Sequence, residues 1–111
     1  MGEKILNIFQ DIPEELSGEF FEDLVRGEDF VLERIVSRGQ ATPDGEWLRQ
    51  ERAEWVILLS GRAVLEFEDR DRVRLGPGDY LLIAAGERHR IAWTDPDRES
   101  VWLALHFSGS G

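Results

Sequence analysis

From Phe30 onward the chain alternates short runs of β-branched, aliphatic and aromatic residues with clusters of glycine, proline and charge. FVLERIVS (30–37) runs to Gly39, and ATPDGE (41–46) is a turn cluster. The stretch EWLRQERAEWVILLSG (46–61) is too long for one straight strand, so a bend or bulge is expected near Glu51 to Ala53. RAVLEFE (62–68) alternates and gives way to EDRDR, VRL (73–75) leads into the turn Gly76-Pro77-Gly78-Asp79, and YLLIA (80–84), HRIAW (89–93) and VWLALHF (101–107) follow. Short strands at regular spacing, separated by turn signals, predict an antiparallel sandwich or a closed barrel. Ahead of them, Asp11-Ile12-Pro13-Glu14-Glu15-Leu16 reads as a short helical turn, with proline early and acids at the N-terminal end. The tail Ser108-Gly109-Ser110-Gly111 is expected to be disordered.

Within the strands, period-two alternation sorts side chains by face. It sends Leu48, Gln50 and, if register survives the bend, Glu54 to one side. His89, Ile91 and Trp93 share a face, as do Trp102, Ala104 and His106.

At 111 residues the chain is expected to be one domain, able to bury about 65% of its unfolded surface. A 41% hydrophobic and 32% charged composition is that of an ordinary globular protein. There is no cysteine, which excludes disulfides, thiol catalysis and thiolate metal sites and suits a reducing cytoplasm. MGEKILNIFQ lacks a long apolar run, so neither a secretory signal nor a membrane span is expected. Net charge is −10, with the acid concentrated before residue 31, where only Lys4 and Arg26 oppose it. Such a surface repels nucleic acid and anionic membranes. It is either a solvated face that aids solubility or a regulatory or cation-attracting one.

Two segments carry a resemblance. In EWVILLSG six residues separate Glu54 from Gly61, and in GDYLLIAAGERH the residues Gly78, Ala84, Gly86 and His89 fall in the spacing G-x5-A-x-G-x2-H. Together these resemble the paired motifs of the cupin superfamily, G-x5-H-x-H-x3/4-E-x6-G and G-x5-P-x-G-x2-H-x3-N. Here Ala84 replaces the proline, Trp93 stands at the asparagine position, and Leu48 and Gln50 stand where the two first-motif histidines would be. The segment Trp47-Leu48-Arg49-Gln50 through Glu54-Trp55-Val56 is similar to that of small single-domain bacterial members.

The resemblance spans about Val31 to Phe107 and implies an all-β fold, the double-stranded β-helix or jelly-roll barrel, with the short N-terminal helical turn added to it. Residues 1–30 would then pack as an acidic segment on a barrel of residues 31–107, followed by the tail 108–111. It also implies a metal site. Gln50, Glu54, His89 and, from the last strand, His106 are the candidate ligands, and an imidazole with a carboxylate suits Zn, Mn, Fe or Ni. Three of these have other readings. His89 would serve as a hydrogen-bonded structural histidine, Glu54 as a general base or an ion-pair partner of Arg52 or Arg88, and Gln50 as an exposed amide. Trp93 would narrow the cavity.

Two functions follow. One is a cytoplasmic divalent-metal barrel that acts on or senses a small metabolite, with Arg49, Arg52 or Arg88 available to a substrate carboxylate. The other is a metal-free, non-catalytic small-molecule-binding module. A homodimer is expected on either reading, since such barrels often pair and an exposed edge on FVLERIVS would invite it.

Overall fold

The computed structural model describes residues 5–108. These form β1 (Phe20–Arg26), β2 (Phe30–Ser37), β3 (Ala53–Ser60), β4 (Ala63–Phe67), β5 (Val73–Leu75), β6 (Tyr80–Ile83), β7 (His89–Thr94) and β8 (Ser100–Phe107), with no helix among the described residues. A five-stranded sheet in the order β1-β2-β8-β3-β6 faces a three-stranded sheet in the order β5-β4-β7, and every pairing is antiparallel. This is the expected all-β jelly-roll barrel.

Alternation writes the core directly. In β3 the inward positions Glu54, Val56 and Leu58 are buried while Trp55 and Ile57 are only partly so. In β4 Ala63, Leu65 and Phe67 answer them from the opposite sheet. Ile35, Ile83, Trp102 and Ala104 complete the same cluster. Each fully buried aliphatic side chain of this kind contributes about 1.5–3 kcal/mol of transfer free energy, so the interior between the sheets is what holds them face to face.

Four expectations change. First, FFEDLVR forms β1, which pairs with β2 from Phe20↔Val36 to Arg26↔Val31; its mixed acid and aromatic pattern gives no clean alternation to read. Second, β2 lies between β1 and β8 rather than at an edge. Third, Asp11 to Leu16 is not helical. Asp11 sits at φ 56, outside the right-handed helical region. The carbonyls of Ile8, Gln10 and Asp11 instead accept hydrogen bonds from the buried Arg34 guanidinium at 3.0, 2.6 and 3.3 Å, so a strap of N-terminal chain crosses the outside of β2. Fourth, Val64 pairs with Trp93 but Leu65 with Ile91, so Ala92 is an extra residue in β7. That bulge turns Trp93 away from the interior, and it is 43% exposed. Of the tail, Ser108 donates its N–H to the Asp29 carbonyl at 2.9 Å; residues 109–111 lie outside the described residues.

The bend expected near Glu51 is present as bends at Glu51 and Arg52. It lets the chain change partners. Before it, Leu48 exchanges backbone hydrogen bonds with His89 at 2.7 and 3.0 Å, Thr42 donates to the Ile91 carbonyl at 2.9 Å, and the Gln50 carbonyl accepts from Gly86 at 2.7 Å. After it, β3 pairs with β6 and β8 in the opposite sheet. Residues 42–50 thus lie along the free side of β7 and close one end of the barrel.

Candidate functional site

At that end the two sheets enclose a cavity of about 350 Å³. Its walls are mostly apolar, built from Ile35, Val56, Leu65, Ile83, Ile91 and Trp102. Six of its polar groups come from six places in the chain. Glu33 projects from β2, Glu54 from β3, His89 from β7 and His106 from β8, while Gln50 enters from the bend and Glu19 from just before β1. Gln50, Glu54, His89 and His106, the four residues singled out in the sequence, therefore line one cavity, as does Leu48. Arg49, Arg52 and Arg88 do not: Arg49 donates to the Gly86 carbonyl, Arg88 pairs with Glu68 on the surface, and Arg52 lines an adjoining groove.

The hydrogen bonds fix what each ring can do. His106 Nε2 lies 2.7 Å from Glu33 Oε1 and its Nδ1 lies 3.1 Å from Gln50 Oε1. Both partners present an acceptor oxygen, an arrangement that favours donation from both ring nitrogens and so the imidazolium form. The hydrogen bond to Glu33 accordingly raises its pKa, with the charges of Glu54 and Glu33 adding and burial opposing. His89 is buried, and its Nδ1 lies 3.0 Å from the Glu87 carbonyl. That acceptor makes Nδ1 the donor, and Nε2 has no hydrogen-bond partner among the described residues.

The carboxylates are less well served. Glu54 is 7% exposed and belongs to no ion pair among the described residues. Burial raises its pKa, against the opposing pull of His106 and His89. Glu19 is pushed up to about 7, chiefly by burial and then by the charges of Glu33 and Glu54, and its Oε2 is out of water with no hydrogen-bond partner. Neither Glu19 nor Glu33 stood out in the sequence. Glu33 had a signal, since Val31, Glu33 and Ile35 alternate onto the buried face; Glu19 lies before a strand whose pattern is unreadable.

A consequence for stability follows. Glu19 binds its proton more tightly folded than unfolded, so the native state gains from it below the ordinary value of 4.5 and loses that gain as pH rises to about 7. The raised His106 acts in the same sense, its contribution present below its ordinary 6.5 and lost as pH climbs through the higher folded value. Glu19→Gln is therefore expected to melt higher than wild type at about pH 8, by the equivalent of about 1–2 kcal/mol after allowance for its partial solvent contact, and to match it below about pH 4.5. Thermal melts of both proteins across that range check it. Equal melting temperatures at the alkaline end would contradict the assigned charge.

Donor chemistry also tests a metal. A ligating imidazole needs a bare nitrogen, and His106 has none left. The Gln50 oxygen faces that same ring, and Leu48 offers no donor. Of the four predicted ligands only Glu54 and the Nε2 of His89 remain, and no group of three or more His, Cys, Asp or Glu among the described residues is placed to hold an ion. The proposed set of Gln50, Glu54, His89 and His106 thus shares a cavity but does not fit a metal as arranged.

Residues 35–106 match a family model described as a cupin domain. A crystal structure from Ralstonia eutropha JMP134, bearing the name "putative mannose-6-phosphate isomerase", is 40% identical with a TM-score of 0.91 and covers 96% of this chain and 100% of its own. A cupin superfamily protein from Desulfitobacterium hafniense DCB-2 shares the fold at 17% identity and a TM-score of 0.71, covering 88% of this chain and 84% of its own. A Streptococcus pyogenes protein of unknown function does so at 19% and 0.75, covering 100% and 92%. A search of the curated proteins found no match.

Proposed function

The chain belongs to the cupin domain family, and on that footing we propose that it is a metal-free barrel that binds a small organic molecule in its cytoplasmic setting. The observation that carries this is the use already made of the histidines. His106 is held as an imidazolium by Glu33 and Gln50, and the Nδ1 of His89 is committed to a backbone carbonyl. What is left facing the cavity is a set of hydrogen-bonding groups in an apolar chamber of about 350 Å³, near the lower end of the range of small-molecule pockets.

Calorimetric titration of zinc and manganese into protein purified without a nickel column is expected to show no saturable binding. Saturable uptake that disappears in His89→Ala would restore the metal-dependent reading. The 40% identical Ralstonia relative favours a second reading, isomerisation of mannose 6-phosphate. Against it, no lysine or arginine among the described residues lines the cavity, and Arg26 and Arg52 stand only in the adjoining groove, where Arg26 is paired with Asp23. A phosphate dianion among glutamates is costly. The same preparation is expected to leave mannose 6-phosphate unchanged; conversion to its ketose isomer, lost on substituting His89, would replace the binding module with an enzyme.

We also propose that two copies pair, through a sheet face rather than a strand edge. The outward side of the five-stranded sheet carries Leu32, Leu105, Trp55 and Leu82 across neighbouring strands, with Tyr80 against Trp55 at 5.3 Å between ring centroids. Leu82 is 51% and Tyr80 64% exposed, an apolar surface of the kind that marks an interface. Light scattering at micromolar concentration is expected to give twice the 12.8 kDa chain mass; a species of 12.8 kDa alone would remove this proposal.

A further inference from the structure

The charge of the cavity is lopsided. Among the described residues Glu19, Glu33, Glu46 and Glu54 line it, with no lysine or arginine. Of the two histidines that line it, His106 is already spent on Glu33 at 2.7 Å. Glu46 is exposed at the rim, but Glu54 is more than nine-tenths buried, lines the chamber and takes part in no ion pair among the described residues. Glu19 adds a carboxylate oxygen that is out of water and bonded to nothing. Two acidic groups are thus kept inside a largely apolar chamber; Glu54 feels His106, His89 and the Gln50 amide, yet neither carboxylate has an ion-pair partner of its own among the described residues. Burying carboxylates without an ion-pair partner is among the costlier arrangements a protein can hold, and apolar residues would fill the same positions at less expense.

We propose that the chamber takes an organic cation, an ammonium group carried on a compact apolar body. This rests on the metal-free reading above and names its ligand class. The head would donate N–H hydrogen bonds to Glu19 and Glu54, which as carboxylates only accept. The body would lie against Ile35, Val56, Ile91 and Trp102. A metal ion is a poor fit for the same charge, because it requires three or more ligands converging at about 2 Å, and no such group is assembled among the described residues. An ammonium on a hydrocarbon frame imposes no such convergence, since each N–H finds its own acceptor, and its frame removes the apolar wall from water.

The test uses one ring with three heads: cyclohexylammonium, cyclohexanol and cyclohexanecarboxylate, titrated into the full chain by calorimetry and followed by thermal shift. The ammonium is expected to bind at least about tenfold more tightly than the alcohol, the yield of one charge-assisted hydrogen bond, and the carboxylate not measurably. Glu54→Gln is expected to weaken the ammonium by about tenfold and leave the alcohol unchanged. Should that variant fail to fold, Glu19→Gln carries the same comparison. A carboxylate that binds as well as the ammonium, an ammonium no better than the alcohol, or no ammonium binding at all overturns the inference. Binding of the alcohol without preference for the ammonium leaves the metal-free binding cavity standing. Failure of all three probes together with saturable zinc binding overturns that reading as well.

Discussion

Replacing Gly61 with alanine is expected to cost the protein about 3 kcal/mol or more and to lower its melting temperature by about 15 °C. The residue turns the chain from β3 in one sheet to β4 in the other, at φ +91, where an L side chain is strained whatever its surroundings. Space forbids it too. An added Cβ would lie 2.5 Å from the Ser100 Cα and 2.8 Å from the Glu99 carbonyl oxygen, and would also meet the Ser100 hydroxyl. That hydroxyl cannot simply swing aside, since it accepts from the Arg62 N–H and donates to the Arg62 carbonyl at 3.3 and 3.2 Å. Backbone of β8 would have to move, and with it the strand that carries Trp102 and His106. Denaturant unfolding of the variant checks the magnitude; a loss under 1 kcal/mol would mean that the turn can rebuild.

Trp102→Ala is expected to cost about 3–5 kcal/mol, the usual range for removing a buried tryptophan. The side chain is 3% exposed, packs in the core cluster and donates its indole N–H to the Ser37 hydroxyl at 3.3 Å. It also forms part of the cavity wall, which makes the substitution informative twice over. Wild-type residue 102 limits the chamber, so the variant, if it folds, is expected to admit bulkier ring compounds that the native protein excludes. Trp102→Phe keeps most of the packing and loses only the hydrogen bond, and a cost of about 1 kcal/mol is expected for it. Chemical denaturation of the pair separates the two contributions, and comparable losses from both would assign the effect to the hydroxyl contact rather than to volume.

The sequence was readable wherever one face of a strand is buried and the register is unbroken. β3, β4 and β8 show their inward residues by alternation, and the spacing of Glu54, Gly61, Gly86 and His89 narrowed a generic β sandwich to one barrel. Reading stopped where the backbone slips. One extra residue at Ala92 reversed Trp93, and no pattern of polarity foretells an insertion of that kind. It stopped again where a strand edges the sheet, because β1 faces water on much of its length and its acids and aromatics alternate to no purpose a reader can see. The site was half visible for a related reason. Motif spacing pointed to Gln50, Glu54 and His89 as neighbours, but what a histidine can do depends on its hydrogen-bond partners. Glu33, from a distant strand, turned His106 from a candidate ligand into a charged donor.

The stitching of residues 42–50 to β7 matters beyond the cavity it helps to close. A β protein risks fibrous association wherever a long, straight strand offers unpaired backbone groups. Here the chain has covered the free side of β7 with its own Thr42 and Leu48. The three outer strands that remain are poor templates: β5 has three residues, β6 has four, and β1 is interrupted by a register shift between Asp23 and Val25. With Asp23 and Arg26 salt-bridged along that last strand, a neighbouring molecule finds no uninterrupted ladder to extend. The loop that shapes the chamber is thereby also a guard against aggregation, and lengthening or loosening it would trade away solubility.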